Sequence, residues 1–459
     1  MTNSGSSILS RLDSIPVGCS YQVKLVGFLC VAFFLEYADL NTFSNVAPAL
    51  IKYWNISVGT VAQITAATYF GMGIGSFLGG WIADKFGRKW SLLSFILLYS
   101  LCSLVNAVLN TAEGFMVARF FTGLFLSATI ITAVTYVAEF FPANQRGKMQ
   151  AIIMGVGFIG IPAVAFFARF VIDLGPDGWR WVFVAGAAGI FLIPIGIFQM
   201  KESPRWYLSK GMVEKAHEVV ADLERNCGIT PPDLKAIQMA EKEAPEYSPK
   251  AVTATGKFLD LFKGKQLQNT LIVTSAATLF LIGAYGFLAW VPTLLFKMGI
   301  SLTKSVLFAS IMMIGNPLGA LSSAIFSDRV GRQRMITITA LLIAVSGVLY
   351  GFSREPWQII TMGFCTVFLI QASAAYVYSY LPENFSTNIR SLGGGFANGV
   401  ARFLAMLSPL AISLIFNNYG YVPVFVFIAG CFCGVALLVF IWGIDTRGTL
   451  EQVSQRQAG

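Results

Sequence analysis

The sequence predicts an all-α membrane protein of twelve transmembrane helices, arranged as two six-helix repeats with a polar linker between them. Of the 459 residues, 56% are hydrophobic and only 12% are charged, with a mean hydropathy of +0.68. Soluble domains carry about 25% charged residues, so most of this surface must face lipid. Two further observations support the prediction: apolar runs recur along the chain, and the two halves repeat at one fixed offset.

A membrane-spanning helix needs about 20 apolar residues, and twelve segments meet that requirement. The first six cover roughly 25–50, 59–83, 90–110, 114–139, 148–174 and 180–200. The second six cover roughly 268–296, 305–327, 335–353, 357–381, 391–416 and 421–443. The resulting domains are an N-terminal tail (1–24), a bundle (25–200), a linker (201–267), a second bundle (268–443) and a C-terminal tail (444–459).

The linker is polar and nearly neutral. Residues 212–225 and 234–244 are expected to form short surface helices, and 257–262 an amphipathic segment at the membrane. The tail before the first apolar run lacks the basic start and cleavage site of a signal peptide, so we expect that run to remain as a helix.

The net charge of +9 does not indicate nucleic-acid binding, because the basic residues lie in short loops between apolar runs. Loops after even-numbered helices carry more of them than loops on the other side, which predicts that both termini and the linker are cytoplasmic in a multi-pass inner-membrane protein. The seven cysteines lie mostly in apolar runs. They are expected to be apolar filler and not a disulfide or metal framework.

The internal repeat has an offset of 244 residues. The segment Asp84-Lys85-Phe86-Gly87-Arg88 recurs as Asp328-Arg329-Val330-Gly331-Arg332. The same offset relates further pairs, namely Pro48 and Pro292, Tyr136 and Tyr380, Glu139 and Glu383, Phe141 and Phe385, Asn144 and Asn388, and Arg146 and Arg390. Duplicated bundles of this kind occur in transporters whose binding site lies between the repeats.

Three motifs resemble the major facilitator superfamily. Gly80-x-x-x-Asp84-Lys85-x-Gly87-Arg88-Lys89 is similar to its loop motif. The segment 202–206 resembles the sequence after helix six in sugar porters and related organic-ion transporters, and 445–451 the sequence after helix twelve. The resemblance covers nearly the whole chain and implies the major facilitator fold.

By the same resemblance, the repeated loop residues form a conformational latch, although simple topological charge is the alternative. An aspartate and an arginine one helical turn apart can hold a neighbouring helix end. The expected latch residues are Asp84, Gly87, Arg88, Glu139, Arg146, Asp328, Arg332, Glu383 and Arg390.

Charged residues inside the membrane that break the repeat are functional candidates, because each is costly to insert. Glu36 and Asp39 share a face of helix one, and Arg119 lies in helix four. The only histidine, His217, lies in the linker, so a carboxylate must carry any coupled proton. Resemblance to sugar porters assigns the proton to Asp39, with Arg119 setting its affinity and Glu36 either sharing the proton or pairing with an arginine. A fixed Asp39–Arg119 ion pair is the alternative.

Arg402 in helix eleven indicates an anionic substrate, because a buried guanidinium with no acid nearby in its own half favours a carboxylate. Organic-anion transporters of the superfamily have a similar arginine, and pairing with Glu36 or Asp39 is the alternative. Other residues expected to line the binding site are Asn41, Gln63, Tyr69, Tyr285, Trp290, Asn316, Gln371, Tyr376 and Asn398.

The sequence therefore predicts a secondary active transporter, not an enzyme, that moves a small organic anion by proton symport and alternating access. A sugar or polyol symporter, a drug or metabolite efflux antiporter and a non-transporting sensor remain alternatives. Neither a cofactor nor a metal ion is expected. The expected partners are a small-molecule substrate, protons and the lipid bilayer, without nucleic acid, and the protein is expected to be a monomer.

Overall fold

The computed structural model describes residues 3–16, 18–232, 258–385 and 389–443. The predicted linker helix at 234–244 and the C-terminal tail lie outside these residues. Within them, eleven helices are long and apolar enough to span a membrane. The first span is not among them; its longer helix, Ser20–Leu40, contains Lys24, Glu36 and Asp39.

Six of the twelve spans form the N-terminal half and six the C-terminal half. The first half comprises Ser20–Leu40 with Thr42–Trp54, Val58–Phe86, Arg88–Val108, Ala112–Phe140, Ala143–Phe158 with Gly160–Ile172, and Arg180–Gly186 with Leu192–Gln199. The second half comprises Gly264–Leu288 with Val291–Lys297, Leu302–Met313 with Gly315–Val330, Arg332–Phe352, Pro356–Glu383, Arg390–Leu404 with Leu407–Tyr419, and Tyr421–Trp442.

Two pairs of interrupted spans repeat between the halves, the first with the seventh and the fifth with the eleventh, whereas the sixth and eighth are interrupted without a matching break in the other half. We call the end of the bundle that carries the turn at Gly87 and the linker helices the linker face, and the end at Trp54 the opposite face. The halves pack together near the opposite face through Thr42–Trp54 against Val291–Lys297, Gly160–Ile172 against Leu302–Met313, and Leu407–Tyr419 against Val58–Phe86. Nearer the linker face, Arg390–Leu404 also contacts Val58–Phe86, and Gly315–Val330 contacts Ala143–Phe158.

A small helical subdomain covers the linker face of the first half. It contains Asn3–Ser14, a helix that the sequence did not predict, together with Pro204–Ser209 and Val213–Asn226. Ile8 and Leu12 are one turn apart and fully buried in the same apolar cluster as Ala216 and Val220. The first of these helices therefore forms because its apolar stripe packs on the linker.

Two ion pairs and a disulfide reinforce this packing. Arg11 donates from Nε to Glu224 Oε1 at 2.9 Å, and Arg205 pairs with Asp13 at 2.9 Å. Cys19 is bonded to Cys227, with their Cα atoms 5.2 Å apart. The expectation that the cysteines form no disulfide was wrong for this pair, because two positions 208 residues apart in sequence share no local pattern that reveals their contact.

Candidate functional site

The break in the first span is the centre of the site. Asn41 ends the helix Ser20–Leu40 and donates from Nδ2 to the Tyr37 carbonyl at 2.8 Å. Thr42 donates from Oγ1 to the Asp39 carbonyl at 2.7 Å. These short polar side chains satisfy carbonyl groups that the interrupted helix leaves without partners. The break therefore places backbone oxygens and Asp39 together inside the bundle.

Asp39 is completely buried and points toward the third and sixth spans. Its Oδ1 accepts a hydrogen bond of 2.6 Å from Ser103 Oγ, while Oδ2 has no partner among the described residues. Gly186 leaves the space for this carboxylate, because a Cβ there would lie 2.2 Å from Asp39 Oδ1. Ser103 and Gly186 were not identified from the sequence, since neither residue type carries a distinctive signal in a membrane helix.

Arg119, also buried, binds the break and forms no ion pair with Asp39. Its Nη1 donates to Thr42 Oγ1 at 3.3 Å and its Nη2 to the Leu40 carbonyl at 3.4 Å. The Asp39 carboxylate still lies near enough to interact electrostatically with the guanidinium. The two predicted residues therefore meet at the break of the first span, connected through Thr42.

Glu36 and Arg402 face each other from opposite halves of the bundle. Glu36 is 1% exposed, and neither carboxylate oxygen has a hydrogen-bond partner in the described part of the chain. Arg402 is its principal electrostatic neighbour, followed by Asp39. Arg402 Nε likewise lacks a described partner, and the two side chains form no ion pair. An acidic and a basic side chain thus lie within electrostatic range of each other, without an ion pair, between the repeats.

Tyrosines surround Arg402 from both halves. Tyr37, Tyr285 and Tyr378 lie close enough to its guanidinium to interact with it electrostatically. Tyr69 stacks on Tyr285 across the interface between the halves, with ring centroids 4.5 Å apart. Tyr378 is 40% exposed, so the cluster is only partly enclosed by protein. Neither Tyr37 nor Tyr378 was among the predicted site residues.

The other predicted lining residues occupy different environments. Asn398 is half-buried, one turn before Arg402, and its Oδ1 has no described partner. Trp290 and Asn316 are fully buried, and Asn316 donates to the Met313 carbonyl at 3.1 Å. Gln63 is exposed toward the opposite face. The remaining two are buried Tyr376 and half-buried Gln371, which packs beside Gly319.

The first half carries a polar network around Arg88 at the linker face. Arg88 pairs through Nη2 with Asp84 at 2.7 Å and with Glu139 at 2.9 Å, and donates from Nη1 to the Ala83 carbonyl at 2.9 Å. Gly87 has φ +100°, and a Cβ there would lie 2.3 Å from Glu202 Oε2. The turn therefore requires glycine both for its backbone conformation and for the approach of Glu202.

Glu202 caps the third span, a role that the sequence did not indicate. Its Oε1 accepts from the backbone N–H groups of Arg88 at 2.7 Å and Lys89 at 3.1 Å. A carboxylate at a helix N-terminus satisfies free donors and complements the helix dipole. Trp206 donates from Nε1 to the Asp84 carbonyl at 3.0 Å. The start of the linker is thus attached to the loop between the second and third spans.

The second half repeats the central contact of this network. Arg332 pairs with Glu383, as Arg88 pairs with Glu139 at the same offset. The side chain of Asp328 lies outside the described residues. Arg146 donates from Nε to the Phe141 carbonyl at 2.7 Å, so it stabilises the end of the fourth span. The Nε and one terminal nitrogen of Arg390 are buried without described partners.

The fold and its paired loops can be compared with known proteins. A family model described as Major Facilitator Superfamily matches residues 29–405. The chain belongs to the Major Facilitator Superfamily. A Bacillus subtilis protein named as a metabolite transport protein, YyaJ, is 34% identical over 97% of each chain.

Other relatives carry names that specify a substrate. A niacin transporter from Acinetobacter baylyi is 26% identical, with 97% of this chain and 99% of the relative covered. A 4-hydroxybenzoate transporter from the same species is 25% identical, with 92% and 90% covered. In structure, the chain resembles the partially occluded, inward-open xylose transporter XylE of Escherichia coli, with TM-score 0.75 and 18% identity over 94% of this chain and 99% of XylE.

These results confirm the predicted fold class and the resemblance to the superfamily. The chain is a multi-pass membrane protein related to metabolite transporters, and it is not an enzyme. Its membership of a transporter family implies a small-molecule substrate.

Proposed function

We propose that this protein takes up a small aromatic carboxylate by proton symport. The observation that carries the proposal is Arg402, whose guanidinium lies between the halves with no described hydrogen-bond partner and with tyrosines around it. A guanidinium binds a carboxylate through paired charge-assisted hydrogen bonds. The Tyr69–Tyr285 stack supplies aromatic surface against which a flat ring can pack.

The relatives' names support the same substrate class. Niacin and 4-hydroxybenzoate, after which two relatives are named, are each a single aromatic ring bearing a carboxyl group. A molecule of that kind would place its carboxylate at Arg402 and its ring beside the tyrosines. The proton site is one of the two buried carboxyl groups of the first span, Asp39 or Glu36.

The orientation assumed for uptake comes from the charge distribution of the loops. Basic residues are more frequent in loops at the linker face, which makes that face cytoplasmic. The contacts between the halves near the opposite face then form the outer gate of this proposal. Alternating access requires the halves to separate at the opposite face and to approach each other at the linker face.

A thermal-shift panel on detergent-purified protein tests the substrate class. The ligands are nicotinate, 4-hydroxybenzoate, an aliphatic monocarboxylate, xylose and a quaternary ammonium ion, each at acidic and neutral pH. We expect an aromatic carboxylate to raise the unfolding temperature, and we expect Arg402→Ala to weaken its binding about 10- to 100-fold through loss of charge-assisted hydrogen bonds.

The matched control is Arg354→Ala, because Arg354 lies beside the start of the tenth span at the opposite face. It should respond to the ligands as the wild type does. Uptake into proteoliposomes, with and without an inward proton gradient, then tests symport. Stabilisation by xylose or by the cation, or an unchanged response of Arg402→Ala, would contradict the proposal.

A further inference from the structure

Resting on the proposed function, we infer that Glu36 is the carboxylate that couples protons to substrate, through competition between Glu36 and the bound anion for Arg402. The two side chains come from different halves, each is unpaired, and Arg402 is the principal electrostatic neighbour of Glu36. No other buried acidic side chain of the described spans has this relation to the substrate-binding arginine.

Asp39 does not fit this role as well. It accepts a hydrogen bond from Ser103 and faces the third and sixth spans. Its nearest opposite charge, Arg119, belongs to the same half. Asp39 and Arg119 therefore balance each other within the N-terminal half, and a ligand at Arg402 does not separate them.

The competition follows from the charges in the site. In the empty site, the positive charge of Arg402 stabilises a negative Glu36. When a substrate carboxylate binds Arg402, that stabilisation is lost and a buried carboxylate without a hydrogen-bond donor becomes costly. Glu36 then takes a proton from the solution on the open side. By linkage, proton binding at Glu36 favours anion binding at Arg402 to the same extent.

The other groups that face Glu36 do not supply a counter-charge. Asp39 and Tyr37 lie on its own span, and Tyr99 faces it from the third span. Tyr285 and Tyr378 approach Arg402 from the seventh and tenth spans. Because these neighbours are an acid and neutral phenols, Arg402 is the positively charged group that can stabilise an ionised Glu36.

Net charge explains why the coupling is obligatory. The empty site is neutral, because Arg402 balances ionised Glu36. The site with both substrate anion and proton is also neutral, whereas a site with only one of them carries an uncompensated charge. Uncompensated charge within a membrane is unfavourable by enough to slow the change between open states by about 100-fold. Transport should therefore carry one proton with each monovalent anion and be electroneutral.

Proteoliposome assays with radiolabelled 4-hydroxybenzoate and nicotinate test this inference. In Glu36→Gln, we expect exchange of labelled for unlabelled acid to continue, because the anion alone now neutralises Arg402. Accumulation driven by a proton gradient should be lost, because nothing takes up the proton. Asp39→Asn should reduce both assays together, and the control Glu113→Gln, at an exposed carboxylate near the opposite face, should change neither.

The inference would be overturned if Glu36→Gln still accumulates substrate under a proton gradient, or if the folded variant loses substrate exchange. It would also be overturned if Asp39→Asn, and not Glu36→Gln, loses accumulation while it retains substrate exchange. If the wild type moves neither acid, the proposed substrate class fails, and a ligand-free experiment still decides the role of Glu36. Spin labels at Lys52→Cys and Lys297→Cys, in a background without other cysteines, report opening of the opposite face.

In that ligand-free experiment, Glu36→Gln alone should slow the conformational change between the open and closed states, because the charge of Arg402 is then uncompensated. The double variant Glu36→Gln with Arg402→Gln should restore the rate of this conformational change, because it removes both charges. An unchanged rate in the single variant, or a rate that stays slow in the double variant, would refute the charge balance. Neither result depends on knowing the substrate.

Discussion

Thr303 donates a hydrogen bond of 2.6 Å from its Oγ1 to Asp173 Oδ1, and this bond joins the two halves at the opposite face. Asp173 follows the fifth span and Thr303 lies at the start of the eighth. The other oxygen of the same carboxylate pairs with Arg169 at 2.5 Å. Arg169 thus orients the acceptor, and the contact between the halves depends on a hydroxyl group.

Removing that hydroxyl should favour opening of the opposite face. In Thr303→Val, we expect loss of about 1 kcal/mol from the closed arrangement, because a hydrogen bond to a partly exposed carboxylate has roughly that value. The ratio of open to closed molecules should rise about fivefold, as measured by the distance between spin labels at positions 52 and 297. The control Thr337→Val removes a hydroxyl that bonds within its own helix, to the Gln333 carbonyl. An equal shift in the control would contradict a specific role for Thr303.

The tyrosine stack should determine the preference for aromatic acids. Tyr285→Ala removes both the ring that stacks on Tyr69 and a hydroxyl near Arg402. We expect it to weaken binding of 4-hydroxybenzoate about 10-fold, since an aromatic contact contributes about 1 kcal/mol beyond its buried area. Tyr285→Phe retains the ring and should weaken binding of 4-hydroxybenzoate less than Tyr285→Ala does.

A competition assay with an aliphatic monocarboxylate separates the ring from the charge. Loss of stacking should weaken binding of the aromatic acid more than binding of the aliphatic one. If Tyr285→Ala weakens both equally, the tyrosine supports Arg402 and does not contact the ring.

Glu202 should stabilise the N-terminal half through its cap on the third span. Glu202→Ala removes the acceptor of the Arg88 and Lys89 backbone N–H groups, and loss of a cap costs about 1 kcal/mol. We expect a lower unfolding temperature in detergent. Glu214→Ala, at an exposed carboxylate in the linker helix Val213–Asn226, is the control and should leave the temperature unchanged. Equal effects would show that Glu202 acts only by its charge on the surface.

Arg88 and Arg332, which are related by the repeat, should differ in how much substitution by lysine slows transport. Arg88 contacts Asp84, Glu139 and the Ala83 carbonyl at once, and an ammonium cannot reproduce that planar arrangement. Arg88→Lys should therefore slow transport more than Arg332→Lys, for which Glu383 is the ion-pair partner in the described region. Initial uptake rates at matched protein levels measure the difference. Equal rates would indicate that the charge alone matters at both positions.

The sequence predicted the repeated part of this architecture well. One offset related Arg88 to Arg332 and Glu139 to Glu383, and the structure then pairs each arginine with the glutamate of its own half. The pairing itself was not predicted. Charge inside apolar runs identified Glu36, Asp39, Arg119 and Arg402, since such residues are rare in membranes.

Contacts that involve neither a repeated residue nor a charged residue inside the membrane could not be predicted from the sequence. Ser103, Gly186 and Thr303 are ordinary residues of membrane helices, and only packing between spans brings them to Asp39 and Asp173. The break at Asn41 was also absent from the prediction, because an apolar run does not show where its helix is interrupted.

The bond between Cys19 and Cys227 makes the N-terminal half a closed covalent ring. Both ends of the six-span bundle are fixed to each other before the chain enters the second half, so the ring retains its ends if the linker is cut beyond Cys227. The remaining linker, from position 228 to the seventh span at Gly264, is the single covalent tether between the halves. A chain divided within that tether would yield a ring and a linear bundle that associate only through their facing helices, and alternating access would then occur between two separate molecules.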